Sequence, residues 1–346
     1  MRLSRRVGLA APALLLAARA LPVSAQTPKL TIAMVPLITT DAFYVTLGKG
    51  AQDAATALGV NLLYQGPATA DTPQQVNILN AMIGRKPDVL VIAPSDRVQL
   101  VVPMRKAFDA GIPVITVDTY IGDSGVYQTG SGAADFPLSY IASDNTEGGR
   151  VAARSLAKAI GGKGKVFINN TRPGVSTPDQ REAGFREEMK RHPEIEVLQT
   201  QYNEGDPAKA AAAVSAVLAR APDLAGVFGI NVNSGVGTAN GVKAAGKTGV
   251  VKIAAFDAPE AMVDYIKSGL VDMAIAQHPA EIGWFGVLTA FAAAKGQAVP
   301  VRINTGFTVM DKSRMITTLN ACSGLRIHDI RQIILLSRYR MLMRRL

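Results

Sequence analysis

The chain has 346 residues, enough for two domains, and its single cysteine, Cys322, excludes an intrachain disulfide framework. Its formal net charge of +10 lies at the ends, with +4 in residues 1–25, +5 in residues 316–346 and +1 between them. The nearly neutral body offers no surface that could follow a phosphate backbone, so the charge does not indicate nucleic-acid binding.

Residues 1–25 predict a secretory signal peptide. They combine a basic start, a short apolar run and the small residues Val23, Ser24 and Ala25, which are the three parts of such a peptide. We expect cleavage after Ala25. A membrane anchor is the less favoured alternative, because Arg19 interrupts the apolar run and leaves it short of the roughly 20 residues that a span needs.

From Leu30 onward, apolar strands alternate with helical patterns. Strands are predicted at 30–34, 61–65, 89–93, 113–117, 139–145 (with its turn), 165–169, 196–201, 224–230 and 271–277, with another ending at 256. Helices are predicted at 43–58, 72–82, 146–160, 179–191, 207–220, 260–268 and 282–295, with two more after Asp96 and after residues 231–234. Strands that are apolar on both faces indicate parallel sheets covered by helices, so the fold class is α/β.

One strand-helix-strand plan occurs twice in the chain. The stretches 87–118 and 222–257 each begin with Pro-Asp, continue through a buried strand and a helix, and end on an aspartate after a second strand. Two similar domains facing each other would place Asp118 and Asp257 on opposite walls of one cleft, because ligands bind beyond the carboxyl ends of parallel strands. Chance similarity between two common units is the alternative.

The segment 316–346 has no place in this plan. Its composition changes to Arg, Leu, Ile and Met. Three interpretations stay open: a basic amphipathic helix on a membrane surface, a partner-binding helix, and a non-native extension or reading-frame change near Met315.

No motif for catalysis, metal binding or phosphate binding occurs in the sequence, so we expect no enzyme activity, cofactor or metal. One pattern resembles a dinucleotide fingerprint: Gly235, Gly237 and Gly241, with Asp257 further on. Residues 231–234, however, separate the strand from the first glycine, which disfavours a dinucleotide-dependent dehydrogenase.

Polar and aromatic residues at the predicted strand ends suit a sugar or polyol. Carboxylates accept hydroxyl hydrogen bonds, amides and guanidinium groups donate them, and aromatic faces cover C–H patches. The candidates are Asp41, Phe43, Tyr44, Asp118, Arg181, Asn231, Asp257 and Gln277. As alternatives, Asp41 and Asp257 could be helix caps, Phe43 and Tyr44 core residues, and Arg181 a surface charge.

A series of short phrases, in order, resembles the ribose- and galactose-type periplasmic sugar-binding proteins of ABC importers over residues 30–312. The phrases are DAFY at 41–44, GIPVI at 111–115 with Asp118, IASDN at 141–145 with Gly148-Gly149, REAGF at 181–185, FDA at 256–258 and AQHP at 276–279. The resemblance implies two Rossmann-like parallel-sheet domains joined by three crossovers, the type I periplasmic binding protein fold. The implied lobes are 30–142 with 278–307, and 143–277 with 308–315.

The same resemblance adds Phe256 to the site and Ser143 at a crossing between the lobes. It also implies a periplasmic solute-binding protein that closes over its sugar by a hinge, acts as a monomer and delivers the sugar to a membrane permease. Three positions depart from the ribose pattern: Ala93 replaces an asparagine, Thr119 an arginine, and Gly205 an aromatic residue. These departures argue against ribose and favour another pentose, a hexose or a polyol.

Two other functions stay open at this point. A transcription regulator can share this ligand-binding core, but it would need an N-terminal helix-turn-helix where residues 1–25 resemble a signal peptide. An exported sensor that presents its sugar to a membrane receptor cannot be told from a transport protein by sequence.

Overall fold

The computed structural model describes residues 29–122 and 135–313. The expected signal peptide and the segment 316–346 lie outside the described residues. Within the described part of the chain, no helix is both long and apolar enough to span a bilayer.

The chain first builds an α/β lobe on a parallel sheet. Its elements are β1 (Thr31–Val35), α1 (Ala42–Leu58), β2 (Asn61–Tyr64), α2 (Thr72–Gly84), β3 (Val89–Ile92), α3 (Val101–Asp109), β4 (Val114–Val117) and β5 (Ser139–Ala142). Strands β1, β3, β4 and β5 are buried along nearly their whole length, as predicted for a sheet with helices on both faces.

A second lobe repeats this architecture. Its elements are α4 (Asn145–Ala159), β6 (Gly164–Asn170), α5 (Ser176–Met189), β7 (Ile195–Val197), β8 (Gln201–Tyr202), α6 (Pro207–Arg220), β9 (Leu224–Gly229), α7 (Val232–Ala244), β10 (Lys252–Phe256), α8 (Glu260–Ser268) and β11 (Met273–Gln277). The chain then returns to the first lobe with α9 (Pro279–Ala294) and β12 (Arg302–Asn304), and ends in the second with β13 (Phe307–Asp311).

The sheet orders are β12-β5-β4-β3-β1-β2 and β13-β11-β10-β9-β6-β7, with β8 beside β6. Only the β11–β13 pair is antiparallel among the described strands. The chain therefore crosses between the sheets three times: after β5, after β11 and between β12 and β13. Phe307 pairs with Gln277 in the second sheet, so its predicted place in the first lobe is wrong.

Side-chain caps fix where several helices begin. Asp41, Asp71, Asp144, Asp206 and Asn231 each accept a hydrogen bond from a backbone N–H in the first turn of the helix that follows. Such caps satisfy N–H groups that have no partner inside the helix. The starts of these helices were accordingly predictable from the sequence to within a few residues.

Two helix starts differ from the prediction. The carboxylate of Asp96 accepts the N–H groups of Val98 and Gln99 in a separate turn, so α3 begins only at Val101. Asp179 lies in the first turn of α5, which begins three residues earlier at Ser176.

The predicted strand at 196–201 is divided into β7 and β8.

Close helix packing brings the site residues to the cleft. A Cβ atom at Gly283 in α9 would overlap the carbonyl oxygen of Leu47 in α1, and one at Gly149 in α4 would overlap the carbonyl oxygen of Arg181 in α5. Glycine at these positions lets the helices approach. The first contact supports the helix that carries Phe43 and Tyr44, and the second fixes the backbone of Arg181.

Candidate ligand-binding site

A cavity of about 380 Å³ lies between the lobes, at the carboxyl ends of both sheets. This is the place where parallel α/β sheets bind ligands, and the volume is in the usual range for small-molecule sites. Eight of the ten predicted site residues line it: Asp41, Phe43, Tyr44, Asp118, Arg181, Asn231, Asp257 and Gln277.

The two repeated aspartates have matching geometry on opposite walls. Asp118 and Asp257 adopt left-handed backbone conformations, with φ of +59° and +70°. Each donates its N–H to the neighbouring strand, Asp118 to Ile141 O and Asp257 to Ile275 O, both at 2.8 Å. Left-handed backbone is unfavourable for a residue with a side chain, and such residues cluster at functional sites. The second copy of the strand-helix-strand plan therefore repeats a backbone conformation at the cavity wall as well as a fold.

Asp118 lines the cavity, and one of its two carboxylate oxygens has no hydrogen-bond partner among the described residues. Its Oδ2 accepts a 2.6 Å hydrogen bond from the hydroxyl of Tyr44, while the buried Oδ1 has no partner among the described residues. Burial raises the pKa of Asp118 to about 6, and the Tyr44 hydrogen bond and Arg181 partly oppose that rise. A hydroxyl donor from a ligand would satisfy this oxygen.

Asp41, Phe43 and Tyr44 form the rest of the first wall at the start of α1. Asp41 Oδ1 accepts the N–H of Phe43 at 2.8 Å, so it caps the helix while lining the cavity. Burial raises the pKa of Asp41 to about 6. The rings of Phe43 and Tyr44 pack edge to face with centroids 5.1 Å apart, which holds an apolar surface beside the two carboxylates.

Arg181 lines the cavity and is held from three sides. Its Nε donates to Asn145 Oδ1 at 2.8 Å, its Nη1 donates to Ile230 O at 2.9 Å, and its guanidinium carbon lies 3.8 Å from the ring centroid of Phe256. The described residues give Nη2 no hydrogen-bond partner. The alternative of a surface charge is thus wrong, because only 2% of Arg181 is exposed.

Gln277 and Asn231 complete the second wall around Asp257. Gln277 Nε2 donates to Asp257 Oδ1 at 2.8 Å, and its buried Oε1 has no partner among the described residues. Burial raises the pKa of Asp257, while Arg181 and the Gln277 hydrogen bond act in the opposite direction. Asn231 Oδ1 caps α7 at Ser234 N, which leaves its Nδ2 to donate to a ligand.

Two predicted site residues do not line the cavity. Phe256 is fully buried beneath Arg181, so it supports the guanidinium instead of contacting a ligand. Ser143 is also buried, and its hydroxyl donates to Gly306 O at 2.8 Å, which ties the first crossing to the third. Neither side chain is among those that line the cavity.

The three departures from the ribose pattern also differ in place. Ala93 and Thr119 are fully buried and do not line the cavity; the hydroxyl of Thr119 donates to Pro94 O at 2.8 Å. Gly205 does line the cavity, with φ of +77°. Of the three, only the missing aromatic residue at Gly205 directly changes the cavity wall.

Sequence reasoning missed several polar residues of the wall. Arg172, Glu204, Asp206 and Asn233 all line the cavity. They lie in the loops after β6 and β8 and at the start of α7, which are carboxyl-end loops of the second sheet. Their position after predicted strands was the available signal.

The glycine pattern that resembled a dinucleotide fingerprint lies within a helix. Gly235, Gly237 and Gly241 belong to α7, and a Cβ at Gly237 would overlap Pro207 O in α6. They permit close helix packing and do not form a phosphate-binding turn. In the described part of the chain, no cluster of three or more His, Cys, Asp or Glu side chains could hold a metal ion.

A sequence model described as a periplasmic binding protein domain matches residues 32–298. The chain belongs to this family. The resemblance found in the sequence is thereby confirmed, as is the fold of two parallel α/β domains.

Several relatives are named for the sugars that they bind, and several solved structures contain a bound sugar. The chain is 32% identical over 301 residues to a D-ribose/D-allose-binding protein from Pseudomonas aeruginosa, covering 85% of this chain and 92% of the relative. It is 59% identical to an ABC transporter solute-binding protein from Agrobacterium vitis bound with α-D-tagatopyranose, with a TM-score of 0.80, covering 83% of this chain and 96% of that one. A carbohydrate-transporter protein from Agrobacterium radiobacter in complex with D-arabinose is 27% identical, with a TM-score of 0.78 and coverage of 83% and 96%.

Proposed function

We propose that this protein captures a hexose, with D-tagatose as the first candidate, by closing its two lobes around the sugar. Membership of the family gives the general function, which is sugar capture for an ABC importer. The finer assignment is supported by the similarity to the tagatose-bound protein of Agrobacterium vitis at 59% identity. It is consistent with the expectation that the ligand is not ribose.

The observation that carries the proposal is a pair of buried acceptor atoms without donors. Asp118 Oδ1 on the first wall and Gln277 Oε1 on the second have no hydrogen-bond partner among the described residues. An unsatisfied buried acceptor costs about 1–3 kcal/mol. A molecule with several hydroxyl groups satisfies acceptors on both walls at once, so it binds the closed arrangement better than the open one.

We propose that the two lobes move as two rigid bodies, and each lobe carries one wall of the cavity. These are 30–142 with 278–306, and 143–277 with 307–313. The three crossings between them are linked by hydrogen bonds, such as Thr305 N to Ala142 O at 3.2 Å. In closure, ligand contacts with both walls favour the approach of the lobes.

The proposal includes export to the periplasm with removal of residues 1–25, a monomeric protein, and transfer of the sugar to a permease of the inner membrane. It includes no catalytic step, cofactor or metal. The family consists of transport proteins, which supports this assignment.

A thermal-shift scan of the purified protein against pentoses, hexoses and polyols tests the proposed ligand class. We expect D-tagatose or a close stereoisomer to raise the melting temperature most, and D-ribose to raise it less. Stabilisation by D-ribose above all hexoses contradicts the hexose assignment. Lack of stabilisation by every sugar and polyol contradicts sugar capture itself.

A further inference from the structure

The two lobes also contact each other directly, through hydrogen bonds outside the cavity walls. Arg97 N donates to Gly174 O at 3.0 Å, and Tyr120 N donates to the hydroxyl oxygen of Ser176, also at 3.0 Å. Arg97 and Tyr120 belong to the first lobe, and Gly174 and Ser176 to the second. We refer to these four residues as the cross-lobe cluster.

The cross-lobe cluster joins the chain segments that carry ligand-binding residues on opposite walls. Tyr120 lies two residues after Asp118, and Ser176 is the first residue of α5, the helix that carries Arg181. The first-lobe members are themselves connected, because Gly122 N donates to Arg97 O at 2.7 Å. A change in the cluster therefore alters how closely Asp118 and Arg181 approach across the cavity.

Ser176 can be changed without touching the ligand. It is 1% exposed, and unlike Val175 and Thr177 on either side, it does not line the cavity. The other hydrogen-bond groups of the cluster are backbone atoms, which substitution leaves in place. The hydroxyl of Ser176 is thus the side-chain group on which one of the two hydrogen bonds depends.

We propose that Ser176 is a positioning residue that stabilises the closed arrangement of the lobes through Tyr120 and thereby sets the affinity for sugar. The proposal rests on the function assigned above, but its mechanism does not depend on which sugar binds. Apparent affinity is the intrinsic affinity multiplied by the fraction of protein in the binding-competent state. Loss of the contact lowers that fraction by the same factor for every ligand.

The test compares Ser176→Ala with the wild type by isothermal titration calorimetry with D-tagatose and with a second, weaker sugar. We expect Kd to rise about two- to tenfold, the effect of one net hydrogen bond, by the same factor for both sugars. The dissociation rate constant should rise as well. Ser176→Thr keeps the hydroxyl and should restore affinity. Ser268→Ala is the matched control, because that hydroxyl donates to Tyr265 O near the end of its own helix.

The readouts separate a positioning role from a general effect on folding. A purely structural role would lower the free energy of unfolding of the ligand-free protein and leave Kd unchanged. The proposal instead predicts that the free energy of binding changes more than the free energy of unfolding does. If Ser176→Ala does not fold, Arg97→Ala replaces it, because the Arg97 guanidinium lies 3.9 Å from Asp179 across the same contact and does not line the cavity.

Two results overturn the proposal. One is an unchanged Kd. The other is a rise in Kd by different factors for the two sugars, since that would mean that the substitution alters contacts with the ligand. If no sugar binds the wild type, the proposed function fails separately. The cross-lobe cluster is then judged by small-angle X-ray scattering of the ligand-free proteins. An equal radius of gyration in wild type and Ser176→Ala overturns it.

Discussion

Replacing Asp257 by alanine separates the binding role of this residue from its role in the fold. Asp257 is 6% exposed, lies on the cavity wall and holds Gln277 through a 2.8 Å hydrogen bond. A hydrogen bond to a charged group contributes about 1.5–3 kcal/mol, so the variant should bind sugar about 10- to 150-fold more weakly.

The effect of the same substitution on folding should be small because two contributions oppose each other. Alanine in the left-handed conformation of residue 257, with φ of +70°, costs roughly 1–2 kcal/mol. Removal of a buried carboxylate whose pKa is raised by desolvation offsets that cost. The free energy of unfolding without ligand should therefore change little.

Calorimetric titration gives the change in Kd, and denaturant unfolding of the ligand-free variant gives the change in stability. Lys86→Ala is the matched control. It also replaces a residue in the left-handed conformation, with φ of +50°, but Lys86 is exposed and does not line the cavity. Lysine and alanine both carry a Cβ and meet the same left-handed strain there, so this variant should change neither the free energy of unfolding nor Kd appreciably. A Kd for Asp257→Ala within twofold of the wild-type value refutes the assignment of Asp257 to the site.

Three further predictions follow from the charges and the packing. Because burial sets the pKa of Asp118 at about 6 and sugar hydroxyl donors would lower it, calorimetry should show affinity falling up to about tenfold from pH 7 to pH 5; constant affinity over that range contradicts this role. Arg181→Met should abolish sugar binding and lower the free energy of unfolding by about 3–5 kcal/mol, because the buried carboxylates lose their cation. Denaturant unfolding measures the change in stability, and a loss below about 1 kcal/mol contradicts this prediction. Gly283→Ala should cost about 1–3 kcal/mol in the same assay, since its Cβ would overlap Leu47 O, with an unchanged Kd if the cleft is intact.

The raised pKa values also predict the pH dependence of stability without ligand. A carboxyl whose pKa is raised in the folded state binds more protons there than in the unfolded chain, so its contribution to stability is lost as pH rises through that interval. Asp118 and Asp41, with pKa values of about 6, should therefore make the free energy of unfolding of the ligand-free protein fall as pH rises from about 4 to 6, which denaturant unfolding at several pH values measures.

The repeated strand-helix-strand plan was the most reliable sequence signal. Its strands are recognisable because they are apolar on both faces, and its end points are recognisable because an aspartate follows each second strand. The structure adds that Asp118 and Asp257 share the left-handed conformation. The sequence does not encode this visibly, because a backbone angle leaves no mark on residue type when aspartate tolerates it.

Errors arose where the direction of a side chain decided the outcome. Phe256 ends β10 and precedes a cavity residue, but its own side chain is fully buried and packs beneath Arg181. Ser143 similarly joins the crossings. Both errors depended on tertiary contacts between distant segments, which local sequence patterns do not specify.

The residues of the cross-lobe cluster could not be predicted at all from sequence. Gly174 lies in the loop before α5 and Ser176 is the first residue of that helix. Their contacts to Arg97 and Tyr120 join segments that are far apart in the chain. Such contacts depend on how the two lobes face each other, which local propensity does not specify.

Isothermal titration calorimetry of the purified protein with D-tagatose tests the central claim most directly. We expect one site per chain with a Kd in the micromolar range or tighter, a binding free energy of about −8 kcal/mol or more negative. Absence of binding heat with D-tagatose and with its hexose stereoisomers, at protein concentrations that would reveal a Kd of about 1 mM, contradicts it.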